Sequence, residues 1–190
     1  MKLTIGKVKL VFLHLKEPSK PAGTTQKEKY SCVVLFKMGG KVETQLRNSF
    51  DELVQDELAN KNSKWKGKLP DKGKFENVFG NAGDKFEAEW ADGYRYFTPK
   101  SERQVSVVKE GKKGLEIVKG FPEDLVYDGM HASVSVTLFT YTHDSGGKGV
   151  SAFLNSIKVH PGGERLELQF NPINDFKEEA QQEEEIEDEI

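Results

Sequence analysis

The stretch Leu3-Thr4-Ile5-Gly6-Lys7-Val8-Lys9-Leu10-Val11-Phe12-Leu13-His14-Leu15 alternates apolar and polar residues, the two-residue period of a half-buried strand. The alternation changes phase once, with Leu3 and Ile5 on one parity, Val8, Leu10 and Phe12 on the other, and Gly6 between them. A slip of that kind at a glycine is what a β-bulge produces, and a bulge bends and twists its strand. Small barrels need strands bent in this way. The stretch therefore predicts a long, coiled first strand in a closed sheet.

The flanking sequence agrees. Glu17 to Gln26 carries Pro18, Pro21 and Gly23 and reads as a loop, followed by a second strand from Tyr30 to Lys37 that ends at Gly39 and Gly40. Ser49 and Glu52 have capping-box spacing before Phe50, Leu53, Val54 and Leu58, predicting a helix from about Phe50 to Asn60. A lysine-rich loop with Gly67, Pro70 and Gly73 follows, then a short helix or strand from Lys85 to Trp90 and a turn at Asp92 and Gly93. Val105 to Val108, Leu115 to Val118, His131 to Tyr141, Val150 to Val159 and Arg165 to Phe170 read as further strands. Many short strands without βαβ alternation predict a mainly β protein, an OB-fold-like antiparallel barrel with one or two short helices. In that reading Tyr127 and Phe139 belong to the core.

Charge divides the chain. Up to Asn174 there are 27 basic against 22 acidic residues, a net of +5, whereas Asp175 to Ile190 holds nine acids and the single base Lys177, a net of −8. Like charges in a block repel and cannot be buried, so residues 175–190 are expected to form a disordered acidic tail on a folded domain of residues 1–174. Its last residues, Glu183, Glu184, Glu185, Glu187, Asp188, Glu189 and Ile190, are candidates for a partner to read. Cys32 stands alone in an apolar run, which permits no internal disulfide and suits a reducing compartment. With no apolar run of bilayer length and no signal-peptide pattern, a cytoplasmic protein without membrane contact is expected.

Catalytic chemistry has little support. His143-Asp144-Ser145-Gly146-Gly147 resembles the sequence around the nucleophile of trypsin-like proteases, but neither His14 nor His131 stands in the matching histidine motif, and a polar hairpin loop accounts for the string. Lys148 follows two glycines as in a phosphate-binding loop, yet Thr142 occupies the place of the first glycine and Gly149 that of the magnesium-binding hydroxyl residue. The four histidines and one cysteine show no ligand spacing. No enzyme activity, cofactor or metal is expected.

What remains is lysine interleaved with aromatics, the composition that holds single-stranded nucleic acid: cations follow the backbone while rings stack on unpaired bases. One patch is Lys61, Lys64, Trp65, Lys66, Lys68, Lys72, Lys74 and Phe75, where loop composition favours Trp65 on nucleic acid over Trp65 folded back on the body. A second is Tyr94, Arg95 and Tyr96, with core packing for the tyrosines, and an acid partner for Arg95, as the competing reading. Tyr141 and Lys148 flank a glycine-rich turn and complete the set.

The carboxyl-terminal half carries a resemblance. Val126-Tyr127-Asp128-Gly129-Met130-His131-Ala132-Ser133-Val134-Ser135-Val136, then Tyr141, then Lys148-Gly149-Val150-Ser151-Ala152-Phe153-Leu154-Asn155-Ser156-Ile157, resembles the single-stranded-DNA-binding proteins of tailed bacteriophages from about Trp90 to Leu166, and the acidic tail is a second point of similarity. The resemblance implies an OB-fold that coats single-stranded DNA in phage replication and recombination and contacts replication or recombination proteins through its tail. This chain ends on Ile190 where such tails often end on phenylalanine. The alternative from another class is a non-enzymatic β-barrel adaptor or chaperone whose acidic tail binds basic clients. Whether the protein forms a homo-oligomer is left open.

Overall fold

The structure, a computed structural model, describes residues 1–20, 25, 27–69, 75–76, 79–142, 148–166 and 168. In chain order its elements are β1 (Lys2–Ser19), β2 (Lys29–Lys37), α1 (Lys41–Ala59), β3 (Phe75–Glu76), β4 (Gly80–Asn81), α2 (Ala82–Phe86), β5 (Tyr94–Phe97), β6 (Lys100–Ser101), β7 (Ser106–Gly111), β8 (Gly114–Ile117), β9 (His131–Thr142) and β10 (Lys148–His160). A 3-10 turn at Glu89–Ala91 separates α2 from β5.

On β9 the period of two runs unbroken. Ala132, Val134, Val136 and Leu138 are fully buried, Thr140 points the same way, and the residues between them face outward. β9 pairs antiparallel with β1 and β10, β1 pairs antiparallel with β2, and the main path runs β4-β5-β2-β1-β9-β10-β7-β8. The two-residue β6 pairs with both β10 and β2, so β2, β1, β9, β10 and β6 form a ring of strands, the arrangement of an OB-like fold. The pairing is not antiparallel throughout, because β3, β6 and β7 run parallel to β10. Inside the ring lies one apolar core that includes Ile5, Leu10, Phe97, Val107, Met130 and Ile157, and α1 adds Leu46 and Val54 to it. Among the described residues no helix is long and apolar enough to cross a membrane.

β1 shifts register three times, twice by a single extra residue and once more between His14 and Ser19, whereas its sequence pattern shows one slip. Between Ile5↔Val134 and Val8↔Ala132, β1 spends one residue more than β9, and Lys7 takes φ +45°. Between Val11↔Val33 and His14↔Ser31 the same happens against β2, and Phe12 takes φ +50°. The first bulge is the one expected at Gly6, although the left-handed residue is Lys7.

The helix begins nine residues before the expected Phe50, so the Ser49/Glu52 capping box does not exist and both residues lie inside α1. Gly40 is the N-cap without a side-chain hydrogen bond. Its start is organised by Glu43, whose Oε2 accepts from the Gly39 N–H at 2.7 Å across a turn that Gly39 enters with φ +69°. Lys85 to Trp90 resolves into the end of α2 and the 3-10 turn. The expected strand at Arg165–Phe170 is not formed over Arg165, Leu166 and Leu168. Instead the chain returns across Asp128–His131: the Leu166 N–H donates to the Asp128 carbonyl at 2.8 Å, and the approach is close enough that a Cβ on Gly129 (φ +94°) would lie 2.0 Å from the Glu164 carbonyl oxygen. Leu166 and Leu168 then join a second, smaller core on the outer face of β1 and β2, built on Val11, Val33 and Leu35 and covered by Ala82, Phe86, Trp90 and Ala91.

Candidate nucleic-acid interface

The first sequence candidate, the lysine loop, is tied down at the far end of β9. Trp65 is 1% exposed, and its Nε1–H donates to the Tyr141 carbonyl at 3.0 Å while its backbone N–H donates to Glu57 Oε1 at 2.9 Å. Glu57 Oε2 accepts from the Thr140 hydroxyl at 2.8 Å, and Lys64 Nζ donates to the Thr140 carbonyl at 3.1 Å. Lys148 Nζ reaches the carbonyls of Trp65 and Lys68 at 3.5 and 3.3 Å. Burial disfavours the Glu57 carboxylate, but these donors outweigh it and hold the group below its ordinary range. Trp65 is thus buried in the core, where loop composition had argued for a ring exposed to nucleic acid. The glycines and polar residues around it do not keep it out of the interior, because its one polar group finds a backbone partner there. Tyr141 lies over its cross-strand partner Gly149, where a Cβ would lie 2.7 Å from the tyrosine hydroxyl and 2.8 Å from the ring.

The structure gathers Lys61, Lys64, Trp65, Lys66, Lys68, Tyr141 and Lys148 at this end. Lys72 and Lys74 lie outside the described residues, as do the His143–Gly147 string and the acidic tail, and of Phe75 only the backbone is described.

The second candidate lies elsewhere, roughly 30 Å away by the length of β9. In β5, Tyr94 and Tyr96 share the outer face as alternation implies, opposite Lys37 and Leu35 of β2. Tyr96 packs into the outer core, its ring over Gly80, where a Cβ would meet it at 2.3 Å. Arg95 points inward, and its Nε lies 2.7 Å from Glu43 Oε1, which Arg47 also grips at 2.6 Å. Burial opposes the Glu43 charge, but the Gly39 N–H and the two arginines overcome it and hold its pKa below the usual value. Arg95 is therefore a structural ion-pair residue. Phe139, expected in the core, is on the outer face, stacked on the exposed Phe153 with centroids 4.1 Å apart. Cys32 is a buried thiol whose pKa desolvation pushes up to about 12, which leaves it unreactive.

Two grooves that the sequence reading missed flank the outer core. The first, of about 370 Å³, lies between β1, β2 and the start of α1; Lys7, Lys9, Lys37, Lys41 and His131 line it with Tyr94. Lys9 Nζ stands 5.1 Å from the centre of the Tyr94 ring, a cation–π distance. The second, of about 300 Å³, lies across β1, β2 and β6 and is lined by Lys20, Lys27, Lys29, Lys100 and His14 with Phe12. No carboxylate is among the described lining residues of either. The signal available in the sequence was the lysine at alternate positions of the first strand, Lys7 and Lys9; the other lysines are brought together only by strand pairing. Among the described residues no cluster of His, Cys, Asp and Glu could hold a metal ion.

A phage family profile, described as the Enterobacter phage Enc34 single-stranded-DNA-binding protein, matches residues 1–186. The chain belongs to this family of phage single-stranded-DNA-binding proteins. The match includes the first ninety residues, where sequence motifs had shown no resemblance. Members are binding proteins and not enzymes. Among solved structures, the single-stranded DNA-binding protein from bacteriophage Enc34 in complex with ssDNA aligns with a TM-score of 0.66 at 19% identity, over 87% of this chain and 89% of that one. A second structure of the single-stranded DNA-binding protein from bacteriophage Enc34 aligns at 0.65 and 18%, over 93% and 90%. Bacteriophage T7 gp2.5, a single-stranded DNA binding protein, aligns at 0.62 and 14%, over 90% and 98%. At these identities the likeness speaks for the fold. No curated protein matches the chain.

Proposed function

We propose that the protein binds single-stranded DNA on the outer face of β1 and β2, with phosphates held in the two lysine grooves and bases turned toward the aromatic residues beside them. The observation that carries this reading is the pair of grooves with no carboxylate among their described lining residues and eight lysines in all, set on either side of one aromatic cover. Apart from Lys29, loosely paired with Glu102 at 3.7 Å, these cations show no ion pair among those of the described residues and leave their charge for a polyanion; every base offers a ring face, so binding is largely indifferent to sequence. The protein then coats single strands in phage replication and recombination in the host cytoplasm. The ssDNA complex described for the Enc34 protein supports this reading.

The tail of residues 175–190, at a net −8, competes for the grooves when DNA is absent and is released to replication or recombination proteins when DNA arrives. A thymidylate oligomer titrated at two salt concentrations tests the binding: affinity falls steeply with salt. Truncation after Asn174 tests the competition, with tighter binding and a flatter salt response expected. Equal affinity of the full and shortened chains would remove the self-inhibition and leave the DNA binding in place.

A further inference from the structure

The two single-residue bulges of β1 each hold a non-glycine residue at positive φ, Lys7 at +45° and Phe12 at +50°, and each of these residues lines one of the two grooves. For a residue as bulky as Phe this conformation is an outlier, and residues held so concentrate at ligand sites. The geometry at Phe12 shows what the bulge achieves. Leu10 faces the inner core and Val11 the outer one, so in a regular strand the Phe12 ring would turn inward. The extra residue between Val11 and His14 lets Leu13 take the inward place against the main core. The Phe12 ring comes outward instead, 36% exposed. On one side it is stacked on Phe86 (centroids 5.3 Å, planes 29° apart) and met by Trp90 at 6.0 Å. It also lines the second groove, beside His14 and the lysines. Lys29 keeps a loose pair with Glu102 at 3.7 Å; Lys20, Lys27 and Lys100 show no ion pair among those of the described residues.

We propose that Phe12 is a base-stacking residue of the interface: a ring backed by Phe86 and Trp90 and aimed by the second bulge, over which a base lies while the lysines of the adjoining groove hold its phosphates. A ring already fixed by its neighbours loses little freedom on binding, and a stacked base contributes without the salt dependence of phosphate contacts. The proposal rests on the reading of this face as the DNA interface and adds the residue and groove that take a base.

Thymidylate-oligomer affinity of Phe12→Leu and Phe12→Tyr tests it, at about 50 mM and about 500 mM salt. Phe12→Leu keeps an apolar cover without a ring and should bind roughly 5- to 150-fold more weakly at both salts, the range of one lost stack, with the salt slope unchanged. Phe12→Tyr should bind like the parent. A parallel measurement on the unaltered protein uses an oligomer carrying 5-iodouracil: irradiation should link it to Phe12, as mapped by peptide mass. If Phe12→Leu binds as tightly as the parent, or folds too poorly to titrate and the cross-link falls only on other residues, the proposal is overturned. Failure of the parent protein to bind the oligomer at all would instead overturn the DNA-interface reading itself.

Discussion

Replacing Lys37 and Lys41 together by Gln removes two of the four lysines of the first groove. Both are exposed, so folding stability should stay within about 0.5 kcal/mol of the parent. The salt response should change by a calculable amount. Each phosphate neutralised on a single strand contributes about 0.7 to the slope of log affinity against log salt, so eight groove lysines give roughly −5.6 and six give roughly −4.2. Over a fourfold rise in salt, the parent should lose about sevenfold more affinity than the variant. Fluorescence anisotropy of a labelled thymidylate oligomer at four or five salt concentrations measures both slopes. Two controls locate the effect. Lys112→Gln with Lys113→Gln alters the exposed turn between β7 and β8, which lines neither groove, and should leave the slope alone. Lys61→Gln with Lys66→Gln alters the loop at the opposite end of β9. A variant lacking Lys37 and Lys41 that keeps the parental slope would refute the groove assignment, and a slope flattened only by the Lys61/Lys66 pair would move the interface to the lysine loop.

The two tryptophans should separate cleanly. Trp65→Phe should leave oligomer-induced quenching in place and lower the guanidinium unfolding midpoint, and Trp65→Ala should cost about 3–5 kcal/mol as a large core truncation; Trp90→Phe should abolish the quenching because Trp90, beside Phe12, is the tryptophan at the interface. Quenching that disappears with Trp65 instead would reinstate the loop. Glu43 and Glu57 have folded pKa values below their unfolded ones, so the stability they contribute is present above the unfolded value of about 4.3 and is lost as pH falls through the lowered folded values. The thermal midpoint should accordingly hold between about pH 5 and 7 and drop below about pH 4, less steeply in a variant with Glu43→Gln and Glu57→Gln; an acid drop of equal depth in both proteins would show that these carboxylates do not carry it.

Several elements were legible because one period decided them. β9 alternates without interruption, and the slip at Gly6 announced the first bulge of β1. Tyr94 and Tyr96 share a face for the same reason. α1 was misplaced because Ser49 and Glu52 matched a local capping pattern, whereas its start is organised by Glu43, which accepts from the Gly39 N–H and is also paired with Arg95, a residue 52 positions away in β5. For Trp65 loop composition argues for exposure, and its burial depends on Glu57 and Tyr141, which only the packed chain places around it. Phe12 sat on the apolar parity of its strand, and nothing local marks the bulge that turns it outward.

The order of residues alone settled that this chain builds a mainly β ring around a bent first strand and that its charge is split between a basic body and an acidic end, since periodicity and charge are properties of neighbours in sequence. Which lysines form a surface was decided by tertiary structure. Lys7, Lys37 and Lys41 converge, as do Lys20, Lys27 and Lys100, because ladder pairing carries β1, β2 and β6 side by side. A groove for a polyanion is a relation between strands, and strand pairing alone creates it.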